Sequence, residues 1–323
     1  MDRLHPLNNR AIQGQYPPGS TFKIVLAIAA LEEGVIRPET KILDPGYYVV
    51  GNRAFRDWKE HGHGWVDFHR AIVESCDVYF YQLGVRLGVD RIAHYARALG
   101  LGEKTGIGLD DEKTGLIPDS LWKMKRFGQP WFPGETPSVS IGQGYVTVTP
   151  IQMANLMAAL ANGGTLYRPW FVRKVESLDG TLIREYGPEK IRSVDLKEST
   201  LNTVRSALTD VVNSGSGTGG RARSRLVEIA GKTGTAQVAE MRGKVVKSEQ
   251  LSYFIRDHAW FVAYAPAQQP EIAVVVLVEH GGHGGSAAAP LAKKVIERYL
   301  SPRDHPDPPV IREARRQVGT HAD

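Results

Sequence analysis

The sequence lacks the features that would place it among disulfide-rich, membrane-spanning or nucleic-acid-binding chains. Its 323 residues include one cysteine, Cys76, so an internal disulfide bond is excluded. No apolar run approaches the roughly 18 residues that a membrane helix needs, and no signal-peptide pattern follows Met1. The net charge of +5 comes from scattered lysines and arginines, which argues against a nucleic-acid partner. The 42% of hydrophobic residues is enough for a sizeable folded core.

A serine and a lysine lie three residues apart at the start of an apolar run. Ser20 follows Pro17-Pro18-Gly19 and precedes the apolar stretch from Ile24 to Leu31, so the pattern predicts a helix with Ser20 as its N-cap. Residues three apart share a helix face, which brings the Lys23 amine near the Ser20 hydroxyl. Burial disfavours the charged form of a lysine, so Lys23 would accept the proton of a nucleophilic Ser20. Alone, the pair is better explained by a capping serine and a lysine whose apolar stem is buried while its amine reaches solvent.

Two further motifs follow along the chain. Ser75-Cys76-Asp77 lies at a break between two helical stretches, and Lys232-Thr233-Gly234-Thr235 lies in a strand-like run. Side chains alternate along a strand, so Thr233 and Thr235 would present two hydroxyls together, while Gly234 would let a ligand approach the backbone. With the positive charge of Lys232, this set suits a substrate that carries a carboxylate.

The three motifs in this order are the signature of serine β-lactamases and penicillin-binding proteins. Five further runs resemble the transpeptidase domain of class B penicillin-binding proteins: Tyr16 to Lys23, Ile141 to Tyr145, Thr149 to Gln152, Lys232 to Val238 and Arg256 to His258. Three more resemble the penicillin-binding protein 2 type, the elongation transpeptidase of rod-shaped Gram-negative bacteria: Arg56 to Lys59, His61 to Gly64 and Arg126 to Trp131. The resemblance covers the chain to about residue 300.

This resemblance implies an α+β fold of the penicillin-binding transpeptidase and serine β-lactamase type. We expect an antiparallel sheet that includes the runs 227–238, 259–264 and 272–278, helices on both faces, and a helical subdomain carrying Ser75. Residues 1–300 would form the transpeptidase domain, and residues 301–323, with four prolines and dense charge, a disordered tail. The family's membrane anchor and pedestal domain, absent from these residues, would hold the domain at the periplasmic face of the bacterial inner membrane.

The resemblance also implies roles for the motif residues. Ser20 would attack the penultimate D-Ala carbonyl of a stem pentapeptide, and Lys23 would accept its proton. Ser75, helped by Lys232, would relay a proton to the departing D-alanine. A neighbouring stem's amine then takes the acyl group, or a β-lactam acylates the same serine. The implied partners are a SEDS-type glycan polymerase and other elongation-complex proteins, and catalysis would need no cofactor.

Substrate recognition would fall to the last motif, where Thr233 and Thr235 hold the terminal carboxylate beside Gly234. Backbone N–H groups of Ser20 and Thr235 would form the oxyanion hole. Asp77 stands where most of the family has Asn, and an ionised Asp accepts hydrogen bonds but donates none. It would pair with Lys23 or accept from the donor's amide N–H.

Three other functions compete with transpeptidation. Glu198 to Asn202 spells the E-x-x-L-N string of class A β-lactamases, although Asp195 and Glu198 also fit a helix capping box. A D,D-carboxypeptidase would differ only in its acceptor, which the sequence does not display. A non-catalytic β-lactam sensor would keep the same pocket.

Metal-ligand residue types are concentrated just before the middle motif. Asp44, Asp57, His63 and Cys76 would form a zinc site that ties the loop after residue 57 to the Ser75 segment, with His61 as the alternative histidine. The competing interpretation is a buried free cysteine near solvated histidines.

Overall fold

A three-stranded antiparallel sheet formed late in the chain is the platform for the rest of the fold. The computed structural model describes residues 6–237 and 256–301. The sheet has the order β11-β10-β9, with β9 at Ala230–Ala236, β10 at His258–Ala265 and β11 at Ile272–Val278. The expected α+β architecture and the antiparallel order of the C-terminal strands are confirmed.

Eleven helices lie within the described residues. They are α1 (Arg10–Gln13), α2 (Lys23–Glu32), α3 (Phe68–Val73), α4 (Asp77–Leu87), α5 (Val89–Ala98), α6 (Ser120–Phe127), α7 (Thr136–Ser140), α8 (Pro150–Ala161), α9 (Glu198–Asn213), α10 (Gly284–Ala287) and α11 (Ala289–Leu300). Four two-stranded pairs complete the described part of the chain. Their strands are β1 (Ile42–Asp44) with β4 (Gly64–Val66), β2 (Tyr47–Val50) with β3 (Arg53–Arg56), β5 (Thr165–Arg168) with β8 (Glu189–Ser193), and β6 (Lys174–Glu176) with β7 (Leu182–Glu185).

Strand β10 is buried on both faces, which explains why its sequence is apolar at nearly every position. Ala259, Phe261 and Ala263 belong to a core shared with α11, whereas Trp260 and Val262 belong to the larger core on the opposite face. Side chains alternate between the faces of a strand, so this division follows from the sequence. Helices therefore cover both faces of the sheet, as expected.

The central helix α2 is apolar all round, and every residue from Ile24 to Ala30 is at most 1% exposed. The sequence predicted that this helix begins at Ser20, and this prediction is wrong. Gly19–Phe22 form a tight 3-10 turn, and the α-helix starts at Lys23. The turn is wedged between two other segments: Gly19 donates its N–H to the Gly142 carbonyl (3.0 Å), and a Cβ on Gly19 would lie 2.4 Å from the Thr235 oxygen.

Most of the predicted helices are confirmed, including α8 with its Thr149–Gln152 capping box. The capping box predicted for α9 is wrong, because its N-cap is Lys197, which makes no side-chain capping bond. Residues 105–143, predicted as loop, include α6 and α7. Residues 213–225, predicted as a flexible connector, are held by several backbone hydrogen bonds.

Part of the predicted tail and the end of one predicted strand fall outside the described residues. Residues 302–323 of the predicted tail, and Val238 at the end of the predicted strand, lie outside the described residues. Within 6–237 and 256–301, none of the helices combines the length and the apolar character needed to cross a bilayer.

The contact between Gly142 and the Ser20 turn leads to a stability prediction. Gly142 has φ +69°, and an added Cβ would lie 2.4 Å from the Gly19 carbonyl oxygen and 2.7 Å from Phe22 Cβ. We expect Gly142→Ala to lower the free energy of unfolding by about 2 kcal/mol or more, measured by denaturant unfolding. Gly34→Ala is the matched control, because Gly34 has φ +64° but open space around its Cβ position. Equal losses in both variants would mean that the close contact contributes nothing beyond backbone strain.

Candidate active site

The Ser20 turn is fixed to the sheet by direct backbone contact. Trp260 of β10 donates its indole N–H to the Pro17 carbonyl (3.0 Å), and the Thr21 hydroxyl donates to the Pro18 carbonyl (2.7 Å). An added Cβ on Gly234 would meet Thr21 Cγ2 at 2.8 Å and the Pro18 oxygen at 2.9 Å. Gly234 is therefore small because the Ser20 turn packs against it, whereas the sequence suggested the approach of a ligand.

The Lys23 amine is completely buried and contacts the middle motif. Its Nζ lies 2.6 Å from Asp77 Oδ1, 2.7 Å from the Ser75 carbonyl oxygen and 3.2 Å from Ser75 Oγ. Among the described residues, its hydrogen bonds do not include one to Ser20 Oγ. A buried lysine this close to a carboxylate forms an ion pair, so the prediction of an uncharged Lys23 does not fit the resting geometry.

Ser75 links Lys23 to Lys232 of β9. Ser75 Oγ lies 3.2 Å from Lys23 Nζ and 2.8 Å from Lys232 Nζ. The backbone of Ser75 has φ +59°, a left-handed conformation that non-glycine residues adopt at a cost. This conformation lies at the break between α3 and α4, where it places the hydroxyl between the two amines.

Lys232 differs electrostatically from Lys23. Its side chain is completely buried, and this burial, followed by repulsion from Lys23, lowers the pKa of Lys232 well below its usual range. A lowered pKa favours the uncharged amine, which has a lone pair for a proton. The pocket therefore combines one charged lysine, one lysine biased toward neutrality and a hydroxyl between them.

Two residues that the sequence did not assign to catalysis hold the middle motif in place. Asp57 Oδ2 accepts the backbone N–H groups of Asp77 (2.7 Å) and Val78 (3.1 Å) at the start of α4. Trp58 donates its indole N–H to the Ser75 carbonyl (3.2 Å) and its backbone N–H to Asp77 Oδ2 (3.3 Å). The sequence marked the R-D-W-K run as a family signature and Asp57 as a candidate metal ligand, and nothing in the pattern of the run identifies these contacts.

The predicted metal ligands come together beside this motif. Asp44, Asp57, His63 and Cys76 are all buried, and each offers one ligand atom within 4.8 Å of the others. His63 Nδ1 lies 2.7 Å from Asp44 Oδ2 and 3.5 Å from Asp57 Oδ1, and the Cys76 thiol donates to Asp44 Oδ2 at 3.3 Å. The alternative histidine, His61, is exposed and lies outside this cluster.

Three side chains of this cluster, Asp44, Asp57 and Cys76, have pKa values shifted from their usual ranges. Burial is the largest cause of a raised pKa for both Cys76 and Asp57, and repulsion between carboxylates adds to the shift at Asp57. Burial acts in the same direction on Asp44, but hydrogen bonds from His63, Gly46 and Cys76 outweigh it and lower the pKa of Asp44. A divalent cation would favour the ionised forms of the thiol and the carboxylates.

The two threonines of the last motif have partners that the sequence analysis missed. Thr233 Oγ1 lies 2.8 Å from Thr218 Oγ1, and the Gln143 amide donates to the Thr235 carbonyl at 3.4 Å. Gln143 lies in the I-G-Q-G-Y run that carried the resemblance. Thr218 lies in a Gly/Ser-rich stretch whose composition suggested a connector, so the sequence contains no signal for it.

Glu198, the candidate base of a β-lactamase, lies at the wrong end of the central helix. The neighbouring Lys197 donates its backbone N–H to Glu32 Oε1 (3.0 Å) at the C-terminus of α2, whereas Ser20 precedes the N-terminus. Ten helical residues at about 1.5 Å each separate the two ends by about 15 Å. Glu198 is also exposed, so it is not placed to activate water at Ser20.

Comparison with known proteins is consistent with this geometry. The family model of the penicillin-binding protein transpeptidase domain matches residues 1–297. Peptidoglycan D,D-transpeptidase MrdA of Acinetobacter baumannii is 44% identical over 316 residues, which cover 97% of this chain and 46% of that protein. The chain spans about half the length of the curated relatives that it matches.

Solved structures of this family have the same fold. Pseudomonas aeruginosa PBP2 in complex with WCK 5153 has a TM-score of 0.78 and 38% identity, covering 92% of this chain and 62% of that one. Helicobacter pylori PBP2 in complex with MreC has a TM-score of 0.79 and 36% identity, and the match covers 92% of this chain and 52% of that one. The chain belongs to the penicillin-binding protein transpeptidase domain family, and its type within that family is penicillin-binding protein 2.

Proposed function

We propose that the chain is the acyl-transfer domain of a peptidoglycan D,D-transpeptidase that cross-links stem peptides during lateral wall elongation. The observation that carries the proposal is the buried series Lys23, Ser75 and Lys232, joined by hydrogen bonds and held beside the Ser20 turn. Such a series can move a proton away from a hydroxyl nucleophile and deliver it to a leaving amine. The relatives named as D,D-transpeptidases support the same reaction.

In the proposed acylation, Ser20 Oγ attacks the penultimate D-Ala carbonyl of a stem pentapeptide. Lys23 passes a proton through Ser75 to Lys232 and accepts the proton of Ser20, so the total charge of the three groups rises by one. The oxyanion is bound by the backbone N–H groups of Ser20 and Thr235, a type of contact worth about 3 kcal/mol. The C–N bond then breaks, and Ser75 delivers a proton to the nitrogen of the departing D-alanine while it takes a proton back from Lys232.

The second half of the proposed reaction transfers the acyl group to the amine of a neighbouring stem. That amine loses a proton to Ser75 and Lys232 as its C–N bond forms, and the bond to Ser20 breaks as Lys23 returns a proton to the Ser20 oxygen. A proton that passes back from Lys232 through Ser75 then restores the Lys23 ammonium. The position of Glu198 favours this acceptor over the rapid hydrolysis of a β-lactamase. The reaction needs no cofactor, and a β-lactam would stop it by forming a stable ester with Ser20.

The setting of the reaction is also part of the proposal. The curated relatives are about twice as long as this chain, so a membrane anchor and pedestal domain would hold the active site at the periplasmic face of the inner membrane. The relative from Helicobacter pylori was solved with MreC, and another related structure is described as a peptidoglycan synthase complex. We therefore propose a glycan polymerase of the SEDS type and elongation-complex proteins as partners.

We also propose a structural zinc ion held by Asp44, Asp57, His63 and Cys76. One thiolate, one imidazole and two carboxylates make a closed four-ligand set of the kind that zinc prefers. His63 Nε2 supports the proposal, because it is buried without a hydrogen-bond partner among the described residues and lies 4.0 Å from Glu74 Oε2. With Nδ1 on the metal, Nε2 would carry the proton and face that carboxylate, a usual outer contact of zinc-bound histidine.

The nucleophile is tested by intact-protein mass after exposure to benzylpenicillin. We expect one adduct, mapped to Ser20 by peptide digestion, and a lifetime much longer than the acylation time. Ser20→Ala should abolish the adduct because the acyl group then has no oxygen to bind. Ser206→Ala, a substitution at an exposed serine of α9, should leave it unchanged. Rapid multiple turnover of the antibiotic would instead identify a β-lactamase.

Asp77 is tested by two substitutions that separate its charge from its hydrogen bonds. Asp77→Asn removes the negative charge of the ion pair, and that charge opposes the lowering of the Lys232 pKa by burial and by Lys23, so Lys232 should stay uncharged to lower pH. We expect the acid side of the acylation pH profile to move to lower pH with activity retained. Asp77→Ala leaves a buried unpaired ammonium, so we expect the free energy of unfolding to fall by about 3 kcal/mol or more. An unchanged pH profile in Asp77→Asn would contradict the role of the ion pair.

The metal proposal is tested by elemental analysis of protein purified without chelator. We expect about one zinc ion per chain, its loss in Cys76→Ser and His63→Ala, and a lower melting temperature in both variants. His61→Ala is the matched control and should keep the metal, because His61 is exposed and outside the cluster. Protein that contains no stoichiometric zinc and does not bind added zinc would rule the site out.

A further inference from the structure

Residues 214–219 form a Gly/Ser-rich segment between α9 and the strand that carries Lys232. The segment is tightly packed at its glycines: an added Cβ on Gly217 would lie 2.3 Å from the Val211 oxygen, and one on Gly285 would lie 2.5 Å from the Thr218 oxygen. Gly219 donates its N–H to Val211 (2.8 Å). These contacts leave little freedom to the backbone of Thr218, so its side chain has a defined position.

Thr218 also joins the two sides of the active site. Its backbone N–H donates to the carbonyl of Val73 (3.3 Å), two residues before Ser75. Its hydroxyl lies 2.8 Å from the hydroxyl of Thr233 on β9. Thr218 therefore connects the end of α3, which leads into Ser75, to the strand that we propose for carboxylate binding.

The direction of the hydrogen bond between the two hydroxyls matters for that binding. A threonine hydroxyl has one proton to donate and can accept at the same time. If Thr233 donated its proton to Thr218, it would have none left for a substrate carboxylate. If Thr218 donates instead, the Thr233 oxygen is satisfied as an acceptor and its own proton points elsewhere. A carboxylate accepts hydrogen bonds and donates none, so it selects the second arrangement.

We infer that Thr218 is a positioning residue for the terminal carboxylate of the substrate, because its hydroxyl donates to Thr233 and directs the Thr233 proton to that carboxylate. The inference rests on the proposed function, in which Thr233 and Thr235 bind the carboxylate. The hydroxyls of Thr233 and Thr235 each supply one hydrogen-bond donor, so binding of the carboxylate depends strongly on the direction of each hydroxyl proton. Thr218 would thus act on binding of the anion and on orientation of the attacked carbonyl, without touching the reacting atoms.

The inference is tested with a pair of variants and a pair of probes. Thr218→Val keeps the shape of the side chain but removes the donor, and Thr218→Ser keeps the donor. The probes are benzylpenicillin and its methyl ester, which lacks the charged carboxylate. For Thr218→Val we expect acylation by benzylpenicillin to slow about threefold to tenfold, in line with the loss of one hydrogen bond between two uncharged groups. Acylation by the methyl ester should change less than twofold, and Thr218→Ser should react with both probes as the wild type does.

The comparison of the probes separates positioning from a general structural role. Equal slowing of acylation by both probes in Thr218→Val would mean that the substitution disturbs the whole pocket. No slowing with either probe would mean that Thr233 binds the carboxylate without a hydrogen bond from Thr218. Either result overturns the inference. Melting temperatures of both variants show whether they fold, and Thr218→Ala provides a second variant without the donor. The wild-type chain reports on the proposed function separately, through formation of the adduct at Ser20. Absence of that adduct overturns both proposals.

Discussion

The burial of two lysine amines in one pocket is the constraint on which the rest of the site depends. Lys23 and Lys232 have no solvent exposure, and a buried ammonium is costly unless a partner compensates for its lost hydration. The compensation comes from a different part of the chain, because Asp77 and Ser75 lie at the break between α3 and α4. Helix α2, the junction between α3 and α4, and the sheet must therefore all be in place before either amine is tolerated.

The neighbouring cluster of Asp44, Asp57, His63 and Cys76 contacts the middle motif and helps to hold Ser75 and Asp77 beside the two lysines. The Asp57 carboxylate contacts both the cluster and the motif. Its Oδ1 lies 3.5 Å from His63 Nδ1, and its Oδ2 accepts the backbone N–H groups at the start of α4. Cys76 lies between Ser75 and Asp77, so any constraint on its sulfur acts on both. In the proposed zinc site, the metal would hold the backbone of the middle motif in the left-handed conformation that places the Ser75 hydroxyl between the two amines.

The sequence was sufficient to single out the residues of the proposed catalytic series. Three spaced motifs identified Ser20, Lys23, Ser75, Asp77 and Lys232, and in the structure hydrogen bonds join the last four beside the Ser20 turn. Local patterns also identified most of the helices and all three strands of the main sheet, because apolar periodicity records burial.

The sequence was insufficient where a residue acts by fitting another segment. Gly234 makes room for the Ser20 turn, Trp58 donates to Ser75, and Thr218 meets Thr233 across 15 positions of chain. Such contacts depend on tertiary packing, and no local pattern encodes them. The same limit applies to the error at Ser20, since its 3-10 turn packs against Gly142 and β9, and capping preference does not encode these contacts.

The geometry also changes the question of how a serine can be activated by a charged lysine. Sequence reasoning required Lys23 to be neutral, yet Asp77 lies 2.6 Å away and stabilises the ammonium. The burial of Lys232, which lowers its pKa, offers a solution, because it favours Lys232 as the acceptor of a proton. In the proposed reaction, a proton that moves through Ser75 to Lys232 frees Lys23 when Ser20 attacks. The departing D-alanine nitrogen would then need a proton, and Ser75, hydrogen-bonded to Lys232, would supply it. In this proposal an Asp at position 77 is compatible with catalysis, because it forms an ion pair with Lys23 while burial lowers the pKa of the other lysine.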